Sequence, residues 1–325
     1  MDTSLIAGRY APRDVIGQGA SGTVLEALDV RLRRLVALKL VHRGPGGLEP
    51  ARVTAEAMAA ARLSHPHVVT VHDAGDGRDF AWIAMDLVIG EPLSALLARD
   101  SRLPPAEAAT LVLELLEALG HAHARRVIHR DVKPANILLA MDDAPGPGQV
   151  RLGDFGVARL GAGEATEPGT LLGTPAWMAP EQVRGEAADH RADLWAAGVV
   201  LYECLTGRRP FAGQMPGLLN TILHDVPRAP STLLAGLDPA WDGVLARALE
   251  KAPAARFQGA AEMAAAVLAA AGTGLDDGPA PPRGLGLLGV RARMPASSRG
   301  AGLAARVAIL VGQRPLLSGR SLPKA

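Results

Sequence analysis

The stretch HRDVKPAN, from His129 to Asn136, is the segment from which the fold and function of this chain can be inferred. It places the carboxylate of Asp131 between two cations and follows it with the amide of Asn136. A carboxylate beside Lys133 can be a surface salt bridge, which contributes little to stability. The cluster has a chemical role only if other segments of the chain supply partners for it.

The length and composition of the chain indicate a globular protein with a hydrophobic core. Its 325 residues are enough for one two-lobed domain of about 250–300 residues or for two ordinary domains. Hydrophobic residues make up 48% and aromatic residues only 3%, so Ala, Leu and Val must fill the core. So few aromatic side chains offer little surface on which bases can stack, which disfavours single-strand nucleic-acid binding.

Cysteine usage and the absence of targeting signals predict a cytoplasmic location. Cys204 has no cysteine partner, and its apolar neighbours in LYECLTG predict a buried, unreactive thiol. The first ten residues lack the pattern of a signal peptide. The apolar run VAILVG, which begins at Val307, is shorter than the about 20 residues that a membrane span needs, so no transmembrane segment is expected.

The C-terminal segment, residues 272–325, differs in composition from the rest of the chain. Sixteen of its 54 residues are Gly or Pro, so we expect a disordered tail. Eight Lys and Arg against two Asp residues give it a charge of +6, whereas the first 271 residues carry −5. Such a tail can contact anionic lipid, nucleic acid or an acidic protein partner, although the same composition is also typical of solvated linkers.

The first third of the chain alternates as β-strands do. YAPRDVIGQGASGTVLEALDV and RRLVALKLV predict three strands, with a Gly-rich turn between the first two. HVVTVHDAG and DFAWIAMDLV predict two more, and the alanine-rich LEPARVTAEAMAAARLS predicts a helix. Five strands and one helix make a small α+β lobe that ends near Val88.

The remaining residues predict a mainly helical lobe. Leu111, Leu115 and Leu119 recur at every fourth position behind two prolines, which indicates an amphipathic helix. RADLWAAGVVLYECLTG is apolar on nearly all sides and predicts a buried helix. Two further helices are predicted in AWDGVLARALEKAP and GAAEMAAAVLAAAG, and a turn or hairpin insertion is predicted in DDAPGPGQV.

The segment IGQGASGTV contains the pattern G-x-G-x-x-G at Gly17, Gly19 and Gly22. Glycines let a backbone approach phosphate oxygens closely and direct N–H groups at them. A tight hairpin explains the same pattern about as well. A dinucleotide-binding loop would be followed by a helix, whereas TVLEAL continues as a strand, which favours a hairpin that covers phosphates.

Further charged residues can complete a phosphate site around the HRDVKPAN segment. Lys39 ends the strand segment VALK, and Glu56 lies 17 residues later in the predicted helix, so the two can form a charge pair. Asp154, in GDFG, adds a carboxylate on a separate turn. A carboxylate and the Asn136 amide that converge can hold Mg²⁺, which prefers oxygen ligands. Asp131 can then orient a hydroxyl group and take its proton.

The motifs together resemble those of the eukaryotic-type protein kinase family, and among its branches the bacterial serine/threonine kinases. They run in the family's order: GQGASGTV, VALK, the helix glutamate, HRDVKPAN, DFG, GTPAWMAPE, DLWAAGVVLYE and a late arginine in APAARF. The resemblance implies an α+β, two-lobed fold for residues 10–271. Its N-lobe, about residues 10–88, has a small five-stranded sheet and one helix, and its C-lobe, about residues 89–271, is mainly helical.

The resemblance also implies roles for the charged residues of the motifs. Lys39, held by Glu56, would contact the α- and β-phosphates of ATP. Asp131 would be the catalytic aspartate that accepts the proton of the substrate hydroxyl group, and Lys133 would steady the γ-phosphate.

The metal and nucleotide sites follow from the same resemblance. Asn136 and Asp154 would bind Mg²⁺, or Mn²⁺ in its place. The adenine ring would lie between Val24, Ala37 and Leu138. The implied nucleotide-binding residues are Ile16, Gly17, Gln18, Gly19, Ala20, Ser21, Gly22, Thr23, Val24, Ala37, Lys39, Met85 as the gatekeeper, Asp86 and Val88 of the hinge, and Leu138.

The type of phosphate acceptor is implied by two positions. Lys133, two residues after Asp131, matches serine/threonine kinases, whereas tyrosine kinases carry a different catalytic-loop pattern. Thr174, in GTPAWMAPE, lies where such kinases support that lysine and the substrate backbone. The resemblance therefore implies protein substrates that are phosphorylated on serine or threonine.

Regulation by phosphorylation is implied between Asp154 and Glu181. Thr170 is the first candidate for autophosphorylation and Thr166 the second. A phosphothreonine adds nearly two negative charges, which Arg130 and Arg159 can clamp. The alternative is that both threonines are solvated loop residues. Phosphorylation in trans would require self-association of the chain.

Other motif residues resemble structural supports of the family. Glu181 and Arg256 resemble an ion pair that braces the large lobe, and Asp193 is expected to anchor the catalytic loop from the buried helix. His129 and Phe155 resemble members of an apolar stack between the lobes, so His129 is not expected to act as a base.

The sequence disfavours three alternatives to an active protein kinase. A pseudokinase would lack at least one of Lys39, Asp131, Asn136 and Asp154, and none is missing. A small-molecule phosphotransferase of related fold usually lacks the APE segment and the DLWAAG helix, both of which are present. A nucleotide-binding regulator of another fold is disfavoured because a strand follows GQGASGTV.

Overall fold

The computed structural model describes residues 5–19, 22–42, 54, 57–77, 80–141, 150–155 and 175–272. Five strands form one antiparallel sheet in the order β1-β2-β3-β5-β4. They are β1 (Tyr10–Gly19), β2 (Gly22–Asp29), β3 (Arg34–His42), β4 (Val71–Asp76) and β5 (Phe80–Met85). The prediction of a five-stranded sheet in an α+β fold is confirmed, and of the predicted helix in this lobe the structure describes helical residues 54 and 57–60.

Both faces of the sheet are apolar, because successive apolar side chains of its strands point to opposite faces. In β3, Val36 and Leu38 belong to the cluster that contains Tyr10 and Trp82. Ala37 and Val41 belong to a second cluster on the opposite face. Since side chains two residues apart point to the same face of a strand, Lys39 shares the face of Ala37 and Val41.

The C-lobe is mainly helical, as predicted. Its helices are α1 (Leu93–Asp100), α2 (Pro105–Ala124), α3 (Pro180–Val183), α4 (Arg191–Thr206), α5 (Gly217–His224), α6 (Pro230–Leu233), α7 (Ala240–Ala248) and α8 (Ala260–Gly272). Leu111, Leu115 and Leu119 of α2 are buried in one core together with α4. The amphipathic pattern of α2 therefore identified its buried face correctly.

Helix α4 is the centre of this lobe. Thirteen of its residues are buried, which explains why its sequence is apolar on nearly all sides. Gly198 allows close packing, because a Cβ there would lie 2.8 Å from the Cβ of Ala248 on α7. Cys204 is fully buried in this helix, and burial raises the pKa of its thiol.

A second, small sheet was not predicted from the sequence. Its strands are β6 (Gly90–Pro92), β7 (Ile137–Ala140) and β8 (Val150–Leu152). Strand β7 begins directly after Asn136, and β8 ends directly before Gly153. This sheet therefore brings the HRDVKPAN segment next to the segment that contains Asp154.

The buried ion pair of the C-lobe joins Glu181, in α3, to Arg256. The two guanidinium nitrogens of Arg256 donate to the two carboxylate oxygens of Glu181, each at 2.7 Å. Both side chains are almost fully buried, and Arg256 also donates to the backbone carbonyls of Glu250 and Lys251. These further bonds satisfy the buried guanidinium, as a desolvated charge requires.

The substitution Arg256→Met should strongly destabilise the protein, because it leaves the Glu181 carboxylate buried without a partner. Loss of one partner of a buried pair costs about 3–5 kcal/mol, which corresponds to a fall in Tm of about 6–20 °C for a domain of this size. Differential scanning calorimetry measures this change. The double variant Glu181→Leu/Arg256→Met should lose less than Arg256→Met alone, and a single variant with the Tm of the wild type would contradict the expectation.

Candidate active site

Two side chains of the HRDVKPAN segment converge on the carboxylate of a third, Asp131. Lys133 Nζ donates to Asp131 Oδ2 at 2.7 Å, and Asn136 Nδ2 donates to the same oxygen at 3.0 Å. Asn136 Nδ2 also donates to the backbone carbonyl of Asp131 at 2.8 Å. The Asp131 side chain is about one third exposed, so the carboxylate is held in place yet open to solvent on one side.

The backbone of this segment is held by Asp193 in α4. Asp193 Oδ2 accepts the N–H of His129 at 2.8 Å, and Asp193 Oδ1 accepts the N–H of Arg130 at 2.7 Å. His123 Nε2 also lies 2.8 Å from Asp193 Oδ2. Arg130 has φ = +67°, a left-handed conformation that costs roughly 1–3 kcal/mol in a residue other than glycine. The bonds to Asp193 offset this strain.

His129 connects the catalytic loop to the segment that contains Asp154. Its Nδ1 accepts the N–H of Asp131 at 3.2 Å, which leaves Nε2 protonated to donate to the Gly153 carbonyl at 2.8 Å. The imidazole ring is fully buried and lies 4.5 Å from the ring of Phe155. Both nitrogens are thus used in backbone contacts, which leaves neither for proton transfer to a substrate.

Asp154 meets Lys39, which reaches it from the five-stranded sheet. Lys39 Nζ donates to Asp154 Oδ1 at 2.8 Å, and the lysine side chain is fully buried. A buried ammonium needs such a partner, because an unpaired charge in the protein interior is costly. The implied partner Glu56 lies outside the described residues.

Six of the implied nucleotide-binding residues form part of one apolar cluster between the two sheets. The cluster includes the side chains of Ile16, Val24, Ala37, Met85, Val88 and Leu138. The strand register sets their neighbours, since Ala37 pairs with Met85 and Val24 pairs with Lys39. The structure thus brings an apolar surface and the Lys39 ammonium next to each other.

The Gly-rich hairpin joins the first two strands beside this cluster. Gly19 pairs with Gly22, and Gln18 pairs with Thr23 across the turn. A Cβ at Gly22 would lie 2.0 Å from the carbonyl oxygen of Leu40, and its φ is +125°. Packing against β3 alone therefore requires a glycine at position 22, whatever the hairpin covers. Gly17 lies in β1.

The residue after the gatekeeper position is held from two sides. The N–H of Asp86 donates to the Thr70 carbonyl at 2.9 Å, and its Oδ1 lies 2.8 Å from His72 Nε2. Asp86 is therefore fixed at the end of β5, although no sequence motif indicated these contacts.

Seven of the implied site residues belong to segments other than the described ones. Ala20, Ser21, Glu56, Arg159, Thr166, Thr170 and Thr174 lie outside the described residues. The described site therefore consists of residues from the two sheets, the catalytic loop and the turn at Asp154.

The donor set suits a hard divalent cation such as Mg²⁺. Because the Asn136 amide nitrogen donates to Asp131, its Oδ1 is left to accept or to ligate. Asp154 contributes a second carboxylate oxygen besides the one that contacts Lys39. Within the described ranges, no group of three or more His, Cys, Asp or Glu side chains can hold a metal ion. An ion held by one amide and one carboxylate would complete its shell with water and phosphate oxygens, as Mg²⁺ commonly does.

Histidines near the loop have structural roles. The pKa of His121 is lowered, first by burial and then by Arg125 nearby, so the ring is neutral at pH 7. Burial and His121 likewise lower the pKa of His65, whose ring lies 4.8 Å from that of His121. This arrangement is a packed pair of neutral rings.

A five-stranded sheet beside a mainly helical lobe, with Lys39 of the sheet paired to Asp154, is the architecture of a protein kinase fold. The family profile "protein kinase domain" matches residues 10–257. This chain belongs to the protein kinase family.

The chain is similar to curated proteins that include three from Mycobacterium tuberculosis strain H37Rv. "Serine/threonine-protein kinase PknE" is 38% identical over 273 residues, which are 83% of this chain and 47% of PknE. PknD is 40% identical over 264 residues, 80% of this chain and 39% of PknD. PknL is 38% identical over 270 residues, 82% of this chain and 66% of PknL. The chain spans about half the length of the first of these relatives.

The helices of the structure can be compared with the requirements for a membrane span. Among the residues that it describes, no helix combines the length and the apolar composition needed to cross a lipid bilayer.

The substitution Lys39→Met should abolish most phosphate transfer while the protein still folds, with a lower Tm because Asp154 loses its partner. It removes the ammonium that contacts Asp154, whereas the methionine side chain fits the apolar surroundings of β3. Loss of one positioned charge at a phosphate costs about 10²–10³-fold in kcat. Radiolabel transfer from ATP measures the activity, and the Tm reports folding. Transfer within a few-fold of the wild type would contradict this role of Lys39.

Proposed function

We propose that this chain transfers the γ-phosphate of ATP to serine and threonine hydroxyl groups of proteins. The observation that carries the proposal is the Asp131 carboxylate, which Lys133 and Asn136 hold at 2.7 and 3.0 Å, with the Lys39–Asp154 pair on the adjoining segment. The three relatives named above, all serine/threonine kinases, support the same acceptor class.

Each residue has a role that follows from its charge and position. The Asp131 carboxylate accepts the hydrogen bond of the incoming hydroxyl group and takes its proton. The hydroxyl oxygen bonds to the γ-phosphorus of ATP as the bond from that phosphorus to the β–γ bridging oxygen breaks, and ADP is the leaving group. The ammonium groups of Lys133 and Lys39 neutralise the negative charge that spreads over the phosphate oxygens. Asn136 and Asp154 would hold Mg²⁺, which supplies further positive charge at the phosphates when bound.

The nucleotide is proposed to bind in the apolar cluster described above. Val24, Ala37 and Leu138 would contact the adenine ring, Met85 would limit the depth of the pocket, and the backbone of Asp86 to Val88 would read its edge. The Gly-rich hairpin, with Ala20 and Ser21 at its tip, would cover the phosphates through backbone N–H groups.

The proposed regulatory residues lie in the segment that follows Asp154. Autophosphorylation of Thr170, or of Thr166, would add a dianion for Arg130 and Arg159 to bind. Thr174 would support Lys133 and the substrate backbone, and Glu56 would join the Lys39–Asp154 pair in the active state. Phosphorylation in trans would bring two copies of the chain together.

The domain organisation and location complete the proposal. The catalytic domain would comprise residues 10–271, divided near Val88, and the tail would comprise residues 272–325. The charge of +6 on the tail suits an anionic partner. A cytoplasmic location is supported by the single, buried Cys204.

The substitution Asp131→Asn should remove phosphate transfer, because an amide cannot accept the hydroxyl proton. Purified wild-type chain and this variant are incubated with labelled ATP, Mg²⁺ and casein, and label uptake is counted. The wild type should label itself and casein, and the variant should label neither. Equal uptake by the two proteins would refute the proposed role of Asp131.

The Thr170→Ala variant should be less active than the wild type, because it lacks the phosphate that Arg130 and Arg159 would bind. Phosphopeptide mapping of active wild-type chain should find phosphate on Thr170. Finding Thr170 unmodified in fully active enzyme would assign regulation to another residue.

A further inference from the structure

The side chain of Gln182 connects the first turn of α3 to the catalytic loop. Its Nε2 donates to the backbone carbonyl of Arg130 at 3.0 Å, and its Oε1 accepts the N–H of Ala179 at 2.9 Å. The residue is partly buried and follows Glu181, which the pair with Arg256 fixes in place. No motif in the sequence assigned a function to Gln182.

The carbonyl that Gln182 holds belongs to the peptide bond between Arg130 and Asp131. The N–H of the same peptide bond donates to His129 Nδ1 at 3.2 Å. The N–H of Arg130 itself donates to Asp193 Oδ1 at 2.7 Å. Side chains therefore hold both peptide planes that flank Arg130, and Gln182 holds the second plane through its carbonyl.

These contacts matter because Arg130 has a left-handed backbone, with φ = +67°. A residue other than glycine leaves this conformation readily unless its surroundings hold it. Rotation of the Arg130–Asp131 peptide plane would turn the Asp131 side chain away from its present position. Lys133 and Asn136 contact the carboxylate and the carbonyl of Asp131 itself. The peptide before Asp131 is held by Gln182 and His129 instead.

We propose that Gln182 is a positioning residue for the Asp131 carboxylate, acting through the Arg130 carbonyl. This inference rests on the proposed phosphate transfer. It also gives α3 a direct bond to the residue that precedes the proposed catalytic aspartate. The position of α3 and the orientation of the Asp131 side chain are then coupled through the amide group of Gln182.

A purely structural role for Gln182 would use the other end of the same amide. Its Oε1 caps the N–H of Ala179 at the start of α3, which stabilises a helix terminus. The two roles are separable by substitution. Gln182→Glu keeps an acceptor for Ala179 and loses the donor to Arg130, whereas Gln182→Lys keeps a donor and loses the acceptor.

The experiment compares these two variants with Gln258→Glu as the matched control. The Gln258 amide also donates to backbone carbonyls, those of Pro253, Ala254 and Arg256, and accepts from Arg191. These hydrogen bonds of its side chain are therefore to parts of the C-lobe other than the HRDVKPAN segment. The kcat and the KM for ATP are measured with casein and with the Asp131→Asn chain as phosphate acceptors, and each Tm is recorded.

Gln182→Glu should lower kcat by about 10- to 100-fold, the cost of a small misplacement of a catalytic group. Its KM for ATP should stay within about twofold of the wild type, because ATP binding is not altered. Gln182→Lys should retain more of the wild-type kcat than Gln182→Glu does, although it loses the helix cap. Gln258→Glu should leave kcat unchanged.

The opposite ranking would overturn the inference. If Gln182→Lys loses more activity than Gln182→Glu, or if Gln182→Glu has the kcat of Gln258→Glu, the side chain is only a helix cap. Failure of the proposed function looks different, since wild type and Asp131→Asn would then transfer phosphate equally. A fall in kcat for Gln182→Glu at an unchanged Tm supports positioning rather than loss of fold.

Discussion

The carboxylate of Asp193 is the interaction on which the candidate active site depends. It is 1% exposed, and its two oxygens accept the backbone N–H groups of His129 and Arg130. A buried charge is tolerated only when hydrogen bonds replace its hydration, and these donors, together with His123, provide them. Because Asp193 lies in α4, the buried central helix of the C-lobe sets the path of the HRDVKPAN segment.

The two sheets then bring the remaining groups to that loop. Strand β3 directs Ala37 and Lys39 to one face, so the apolar surface and the cation lie side by side. The small sheet places β7 and β8 next to each other, and β7 begins where the loop ends. Strand register therefore fixes the backbone around the site, and the long side chain of Lys39 reaches from β3 to Asp154 on the neighbouring turn.

The elements with strong periodicity could be predicted from the sequence, and the short ones could not. Helix α2 shows its buried face through Leu111, Leu115 and Leu119, whereas strands of three or four residues, such as β6 and β8, are too short to show a period. HVVTVHDAG predicted a strand from His67, but β4 begins at Val71. The residues before it bond to Leu152 of β8 instead, because Val69 donates to its carbonyl and Leu152 donates to that of His67.

The individual contacts of the site were less predictable still, because they join segments far apart in the chain. The resemblance named Lys39, Asp131 and Asp154, but neither it nor the residue pattern indicated Gln182. The contact of Gln182 depends on the folded structure. Arg256 holds Glu181, which fixes the neighbouring Gln182. The Gln182 amide then reaches the Arg130 carbonyl. This path connects a buried ion pair that stabilises the C-lobe to the peptide that precedes Asp131. Packing of the lobe and orientation of the proposed catalytic group thus depend on the same two adjacent residues of α3.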